Sequence, residues 1–210
     1  MLYQNTADRV DEFVRRCRRA ERILRRKGSA FVSVDFAIAK VDEIIAAAEP
    51  VRLTGELTLR IPALPRPTLA ELREKFPWIR EEEGIERDTS PAEAVTLNLG
   101  TVLREGEGSV GGAEYERRLQ PKLDILLGYQ QAEWLVAHQN QFPELMALLG
   151  KVYIDFPGLV VVRADGRRLV PDLDQGGRRW GLYWRWLGHG VSGYDRVAVS
   201  GPAAPSGAGK

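Results

Sequence analysis

The sequence lacks disulfide-forming cysteine pairs and long apolar runs. Its 210 residues contain one cysteine, Cys17, so no disulfide can form within the chain. Cys17 lies on the apolar side of a predicted helix, which indicates a core residue. No run of about 18 apolar residues is present, so the sequence predicts no membrane-spanning helix. The N-terminus has no apolar segment typical of a secretory signal, and these absences favour a cytoplasmic protein.

Histidine is almost as scarce, and this limits the catalytic chemistry that the sequence supports. The two histidines, His138 and His189, belong to no zinc-binding or triad motif. The sequence therefore predicts no catalytic residue, no metal site and no cofactor. An enzyme would need a site assembled from residues far apart in sequence, with His138, His189, Asp172 and Asp174 as candidates. No motif is specific enough to indicate a family.

The formal net charge is only +1, yet charges of opposite sign are segregated along the chain. Residues 15–27 contain eight basic residues and one acid, whereas residues 81–116 contain ten acids and two arginines. Such blocks contact each other, contact a partner or are solvated. The sequence leaves open whether the basic helix face is exposed or pairs with the acidic segment 81–116.

Hydrophobic periodicity predicts a mainly helical region over residues 1–150. A capping box at Thr68 and Glu71 and a capping Ser90 followed by Pro91 indicate two helix starts. A short strand or hairpin is predicted near residues 29–61, with clear alternation over 51–61. The acidic residues 80–90 are predicted as a loop. The other predicted helices cover residues 6–27, 36–49, 115–127, 130–140 and 143–149.

From Val152 onward the pattern changes to short β segments separated by turns such as Asp165-Gly166. These segments predict a small antiparallel sheet at 152–199, and residues 201–210 predict a disordered tail. The predicted fold class is therefore α+β, with a helical region 1–150 and a β module 151–200. The sequence leaves open whether the two share one core. The predicted strands are 152–156, 159–163, 167–170, 179–187 and 195–199.

The most distinctive segment is residues 178–187, which contains three of the five tryptophans. On a strand, side chains alternate between faces. The sequence predicts that one face is buried in the core and contains Trp180, Leu182, Trp184 and Trp186. The opposite face contains Arg179, Tyr183 and Arg185 and is predicted to meet solvent.

Three functional hypotheses follow. The first is a non-catalytic binding or interaction protein with a protein partner, and the third is the enzyme described above. The second is a nucleic-acid-binding accessory protein, in which arginines contact phosphate and Tyr183 stacks on a base. The residues predicted to contact nucleic acid are Arg15, Arg18, Arg19, Arg22, Arg26, Arg179, Tyr183 and Arg185, and the basic surface would extend to Arg163, Arg167, Arg168 and Arg196. Oligomeric state is not predicted.

Overall fold

The computed structural model describes residues 51–201, all of which lie in the second of two units into which the chain divides, Ala46–Lys210. The predictions for Cys17, for the helices at 6–27 and 36–49, for the part of the strand or hairpin before residue 51 and for residues 202–210 of the tail lie outside the described residues.

Strands outnumber helices within residues 51–201, at 39% against 25% of the residues. The helices are α1 (Leu69–Lys75), α2 (Gly112–Leu119), α3 (Tyr129–His138) and α4 (Pro143–Met146), with 3-10 helices at Gln120–Ile125 and Gln139–Gln141. The strands are β1 (Arg52–Ile61), β2 (Ile85–Asp88), β3 (Val95–Thr101), β4 (Ser109–Val110), β5 (Tyr153–Asp155), β6 (Leu159–Val162), β7 (Arg168–Gly176), β8 (Arg179–Trp186), β9 (Val191–Ser192) and β10 (Asp195–Gly201).

Eight of these strands form one mixed sheet in the order β1–β3–β10–β5–β7–β6–β2, with β8 also paired to β7. The pairing of β10 with β5 is parallel, and the other pairings in the sheet are antiparallel. Strand β8 pairs with the whole length of β7, so β5 and β6 share the opposite edge of β7. Strands β4 and β9 form a separate two-stranded ribbon.

The predicted fold class, with a mostly helical N-terminal two-thirds and a small antiparallel sheet near the C-terminus, is therefore wrong. The C-terminal strands are not a small sheet of their own, because β10 pairs with β3 and β6 pairs with β2. The buried side chains of Leu97, Leu99 and Ile154 consequently belong to one apolar cluster.

Strand β3 occupies the position where the sequence predicts a helix after Ser90 and Pro91. Val95, Leu97 and Leu99 recur at a spacing of two, the period of a strand, and pairing on both sides buries Leu97 and Leu99 completely. Ser90 is no helix cap here. Its hydroxyl contacts Asp88 and accepts a 2.9 Å hydrogen bond from the Gln130 side chain.

Two further predictions, of a loop and of a helix, are wrong. Part of the predicted acidic loop at 80–90 is strand β2, which pairs with β6. The predicted helix 115–127 ends as α2 at Leu119, and a 3-10 helix follows because Pro121 has no N–H to donate.

Several local predictions are confirmed. The capping box of α1 forms, with the Thr68 N–H donating to the Glu71 carboxylate at 2.7 Å and the Glu71 N–H donating to the Thr68 hydroxyl at 3.2 Å. Strand β1 covers nearly all of the predicted residues 51–61. A bulge at Gly55, whose φ is +72°, changes the alternation, so Leu57 and Leu59 are buried whereas Leu53 is exposed.

The sheet is covered on both faces by apolar side chains. On one face, Trp180 and Phe156 belong to the largest cluster, beneath α3 and α4. On the other, Tyr115 and Leu119 of α2 pack with Val170 and Val197 of the sheet. Among residues 51–201, no helix combines the length and apolar character that crossing a bilayer requires.

Candidate binding site at the acidic face of the sheet

Four aspartates from three adjacent strands lie on the sheet face that α2 covers. In the antiparallel register, Asp155 of β5 is directly opposite Asp172 of β7, and Asp174 follows two residues later on the same face. Asp195 begins β10 and is paired with Tyr153 of β5. We call Asp155, Asp172, Asp174 and Asp195 the acidic face.

Arg185 of β8 is the counter-ion of this face. Its guanidinium contacts Asp155 and lies 3.3 Å from the Asp195 carboxylate, and it donates to the Gly190 carbonyl at 2.5 Å. The Tyr115 hydroxyl of α2 donates to the same Asp155 oxygen at 2.7 Å. The Arg185 side chain is only 13% exposed and Asp155 only 1%, so this is a buried ion pair with one added hydrogen-bond donor.

Burial governs the protonation of these groups. Burial raises the pKa of Asp155, while the Arg185 guanidinium and the Tyr115 hydroxyl oppose this by favouring the carboxylate. Burial, and secondly the negative charge of Asp155, raises the pKa of Asp172 to about 8. Within residues 51–201, one buried oxygen of each carboxyl group, Oδ1, has no hydrogen-bond partner. The face therefore has hydrogen-bonding capacity that the described residues do not satisfy.

Next to these aspartates the same face opens into a cavity of about 430 Å³, which we call the tyrosine cleft. Its rim combines the turn before β5, the end of β7 and the residue before β10. The Tyr153 N–H donates to the Tyr194 carbonyl at 3.0 Å, which holds the two tyrosines together. The lining residues are Gly150, Lys151, Val152, Tyr153, Asp174, Gln175 and Tyr194.

Three exposed tyrosines lie on this face or at the rim of the tyrosine cleft. Tyr153 is 44% exposed, Tyr183 is 47% exposed and Tyr194 is 67% exposed. Tyr183 is opposite Asp172 in the register, and its ring lies across Gly181, where a Cβ atom would be 2.6 Å from the ring. We call Tyr153, Tyr183 and Tyr194 the tyrosine face.

The three β8 residues predicted to contact nucleic acid differ in their exposure and in their partners. Arg179 and Tyr183 are exposed, but Arg185 is held by the acidic face. Arg15, Arg18, Arg19, Arg22 and Arg26 lie outside the described residues. The wider basic surface is also engaged: Arg196 pairs with Glu56, Arg168 pairs with Glu86 and Glu116, and Arg163 and Arg167 lie near Asp165.

Several members of the acidic segment 81–116 have partners within the described residues. Arg118 of α2 is 8% exposed and contacts Glu107 at 2.5 Å and Glu114 at 2.7 Å. Hydrogen bonds from Arg118, and secondly from the Arg104 N–H, lower the pKa of Glu107 to about 2. Hydrogen bonding to Arg117 is the main reason that the pKa of Glu114 is also lowered to about 2. This segment is thus partly neutralised by arginines on and near α2.

Only two of the four candidate residues for a catalytic site lie on the same face of the sheet. Asp172 and Asp174 share the acidic face, but the histidines are elsewhere. His138 stacks on Trp134 and its Nδ1 is 2.7 Å from the Trp134 carbonyl, whereas His189 contacts Trp186. Within residues 51–201, no three histidine, cysteine or acidic side chains converge as a metal ion would require.

Sequence reasoning missed Tyr115, Tyr153, Asp155 and Tyr194. The sequence of β5 contains one indication of this face. Tyr153 and Asp155 alternate with Ile154, and polar residues at every second position of a strand indicate a face that is not entirely buried. Tyr115 is 40 residues from Asp155 in sequence, and no local pattern indicates their contact.

Comparison of the chain with protein-family models, with curated proteins and with solved structures found no match. The function is therefore argued from the geometry of the site.

Proposed function

We propose that this chain is a non-catalytic binding protein and that its ligand contacts the tyrosine face beside the tyrosine cleft. The observation that supports this most is the exposure of three tyrosines at the acidic face and at the rim of a cavity of about 430 Å³. Small-ligand sites commonly occupy about 300–1,000 Å³ and combine aromatic walls with a few polar groups.

The polar groups of the cleft are available to a ligand. Asp174 and Lys151 form no ion pair within the described residues. The phenol rings add rigid contact area at a small cost in side-chain entropy, and their hydroxyls can donate or accept hydrogen bonds. The buried Arg185 ion pairs link β8 to β5 and to the start of β10, beside Tyr194, which supports a preorganised rim.

Tyrosine-labelled NMR of the full chain tests this proposal. The chain has six tyrosines, so ring signals labelled with ¹³C can be assigned by single Tyr→Phe variants. A fragment set of uncharged, cationic and anionic compounds is expected to shift the signals of Tyr153, Tyr183 and Tyr194. The signals of the buried Tyr115 and Tyr129 serve as internal controls and are expected to stay in place.

A matched pair of variants identifies the surface. Tyr194→Ala is expected to weaken the binding of any fragment that shifts these signals. Trp186→Ala removes another exposed aromatic side chain, 41% exposed against 67% for Tyr194, from the face of β8 opposite Tyr183 and is expected to leave binding unchanged. If no fragment shifts the three exposed tyrosines, or if both variants behave alike, the proposal is wrong.

An enzyme is the second candidate, and one observation favours it. Asp172, with its pKa raised to about 8, is a neutral carboxyl group beside the paired carboxylate of Asp155, and two acids in such different environments are typical of acid–base sites. The two candidates differ in the fate of the ligand. Chemical conversion of a bound fragment that Asp172→Asn abolishes would establish the enzyme, whereas recovery of the unchanged compound supports a binding protein.

The nucleic-acid alternative is tested by measuring oligonucleotide binding to the same labelled protein. A single-stranded oligonucleotide that binds through arginines would lose affinity steeply as salt is raised. Arg179→Gln removes the exposed arginine nearest Tyr183 in sequence, and a reduced salt dependence in this variant would favour nucleic acid over the binding role proposed above.

A further inference from the structure

We propose that the tyrosine cleft binds its ligand through an alkylammonium or guanidinium group, which lies against the rings of Tyr153 and Tyr194 and pairs with Asp174. This inference rests on the proposed binding function and names the chemical class of ligand.

The rings provide the first part of the argument. Tyr153 and Tyr194 line the same cavity, and a 3.0 Å hydrogen bond from the Tyr153 N–H to the Tyr194 carbonyl joins their backbones. Within the described residues neither hydroxyl forms a hydrogen bond. The negative face of a phenol ring attracts a cation within about 6 Å of its centre. The structure already contains two such contacts to tyrosine, from Lys75 to Tyr129 and from Arg185 to Tyr115.

Asp174 provides the charge. Its carboxylate accepts a hydrogen bond from the neighbouring Gln175 N–H at 2.5 Å, and it has no basic partner among residues 51–201. A carboxylate that is partly shielded and unpaired gains more from a bound cation than a fully solvated one does, because the effective dielectric constant is lower.

The field of the sheet behind the cleft has the same sign. Asp155, Asp172 and Asp195 lie in adjacent register positions on this face, and Arg185 is the basic residue paired with them. One oxygen of Asp155 and one of Asp172 are buried without any partner in the described part of the chain, although the two side chains are 99% and 92% buried. Asp172 is neutral at pH 7, so the carboxylates of Asp155 and Asp195 against the one Arg185 guanidinium leave a net negative charge. This charge favours a positive ligand and opposes a carboxylate or phosphate.

Lys151 is the one basic side chain in the lining. Its substitution distinguishes a purely cationic ligand from a ligand that also has an anionic group. Lys151 is exposed and unpaired within residues 51–201. If the ligand is purely cationic, Lys151 repels it, and Lys151→Gln will tighten binding. If the ligand instead has an anionic group seated on Lys151, the same substitution will weaken binding.

Direct titration of the full chain tests the inference with agmatine as a free small molecule and with the blocked peptide Ac-Gly-Arg-Gly-NH₂ as a peptide side chain. The matched probes Ac-Gly-Gln-Gly-NH₂ and Ac-Gly-Glu-Gly-NH₂ have a neutral and a negative side chain. We expect at least one cationic probe to bind about tenfold more tightly than the neutral and acidic peptides, because a charge-assisted hydrogen bond to Asp174 is available to the cationic probes alone. Preference for agmatine indicates a small-molecule ligand, and preference for the arginine peptide indicates a protein segment.

Three variants complete the test. Asp174→Asn is expected to lower the affinity for the cationic probe about fivefold while leaving the neutral peptide unaffected, since a single exposed charge pair is worth about 1 kcal/mol. Lys151→Gln is expected to raise it, and Trp186→Ala is expected to leave it unchanged. The folding of each variant is checked by the unshifted ring signals of the buried Tyr115 and Tyr129.

The outcomes separate this inference from the proposed function. If neutral or anionic compounds shift Tyr153 and Tyr194 as strongly as agmatine does, or if Asp174→Asn has no effect, the cleft binds ligands but the cationic class is wrong. If no probe of any charge shifts the exposed tyrosines, the proposed function fails as well. Weaker binding in Lys151→Gln overturns a purely cationic ligand.

Discussion

At the scale of single residues, the ion-pair partners of Arg185 give it a role different from the one predicted. In the sequence it alternates with tryptophans and belongs to a face predicted to meet solvent. In the structure its guanidinium is enclosed by Asp155, Asp195 and the Gly190 carbonyl. Arg185 is consequently an internal counter-ion, and a role in binding phosphate would require breaking these contacts.

We predict that Arg185→Met destabilises the protein by about 3–5 kcal/mol at neutral pH, because it leaves the buried Asp155 carboxylate without a counter-charge. Urea unfolding measures this change. Arg179→Met, on the same face of β8 but exposed, is the control and should change stability by less than about 0.5 kcal/mol.

Adding Asp155→Asn to Arg185→Met removes the uncompensated charge as well, so the double variant should recover part of the lost stability. Equal stability of Arg185→Met and Arg179→Met would show that Arg185 is solvated instead of paired.

At the scale of elements, strand β8 presents its three tryptophans to three different environments. Trp180 is fully buried, and its indole N–H donates to the Leu145 carbonyl at 3.0 Å. Trp184 is half-buried among Phe76, Trp78 and Tyr129. Trp186 is 41% exposed beside Arg167 and His189. The prediction of a buried tryptophan face therefore holds at the start of β8 and weakens toward its end, where the helices no longer cover the strand.

This gradient predicts a graded loss of stability when each tryptophan is replaced by alanine. We expect a loss of about 3–5 kcal/mol for Trp180→Ala and of about 2–3 kcal/mol for Trp184→Ala, because cavity formation scales with burial. Trp186→Ala should cost less than about 1 kcal/mol. Chemical denaturation of the three variants measures the series, and a loss for Trp186→Ala as large as that for Trp180→Ala would contradict the burial described above.

At the scale of the whole molecule, buried and arginine-paired acids among residues 51–201 make stability depend on pH in opposite directions. Glu107 and Glu114 have pKa values lowered to about 2 by arginine partners, so the native state binds their protons more weakly than the unfolded chain does. Their contribution is present above the ordinary value of 4.5 and is lost as pH falls toward about 2. Asp172 acts in the opposite direction, because its pKa is raised from 3.8 to about 8 by burial. Its contribution is complete below about 3.8 and is lost as pH rises through about 8.

We therefore predict that stability declines between pH 4 and pH 8 with a slope of up to about 1.4 kcal/mol per pH unit from Asp172, the limit for one titrating group. Asp172→Asn should flatten this decline, because the amide is neutral at every pH and can donate to the unpartnered oxygen of Asp155.

Urea unfolding from about pH 2 to pH 8 measures this decline and also the loss of stability at acid pH. Glu107→Gln is the reciprocal control and should reduce the loss at acid pH while leaving the upper slope in place. An unchanged slope above pH 4 in Asp172→Asn would show that Asp172 is ionised in the native protein.

The amount of structure that could be predicted from the sequence depended on how local the deciding interactions are. The capping box of α1 and strand β1 are specified by neighbours within a few residues, and both were predicted correctly. Strand β3 was missed because Ser90 and Pro91 resemble a helix start, while the pairing that makes residues 95–101 a strand comes from β1 and β10. Propensity is a weak preference, and hydrogen bonds on both edges of a strand exceed it.

The candidate site was predictable to a similar degree. Tyr183 was identified from the alternation in β8, and Asp172 and Asp174 were among the possible catalytic residues. Their association with Asp155, Tyr194 and Tyr115 was not predictable, because it depends on the register of β5 against β7 and on the position of α2.

By itself the sequence determined the periodicities of β1, β8 and α3, the cap of α1 and the division of β8 into an indole face and an arginine–tyrosine face. Each follows from side chains a few residues apart. Only the tertiary structure decided that the strands form one mixed sheet, that Arg185 is buried as a counter-ion, and that four aspartates and three tyrosines share one surface. These features depend on contacts between residues 30 or more positions apart, such as Asp155 with Tyr115 and with Arg185, and no local pattern encodes such contacts.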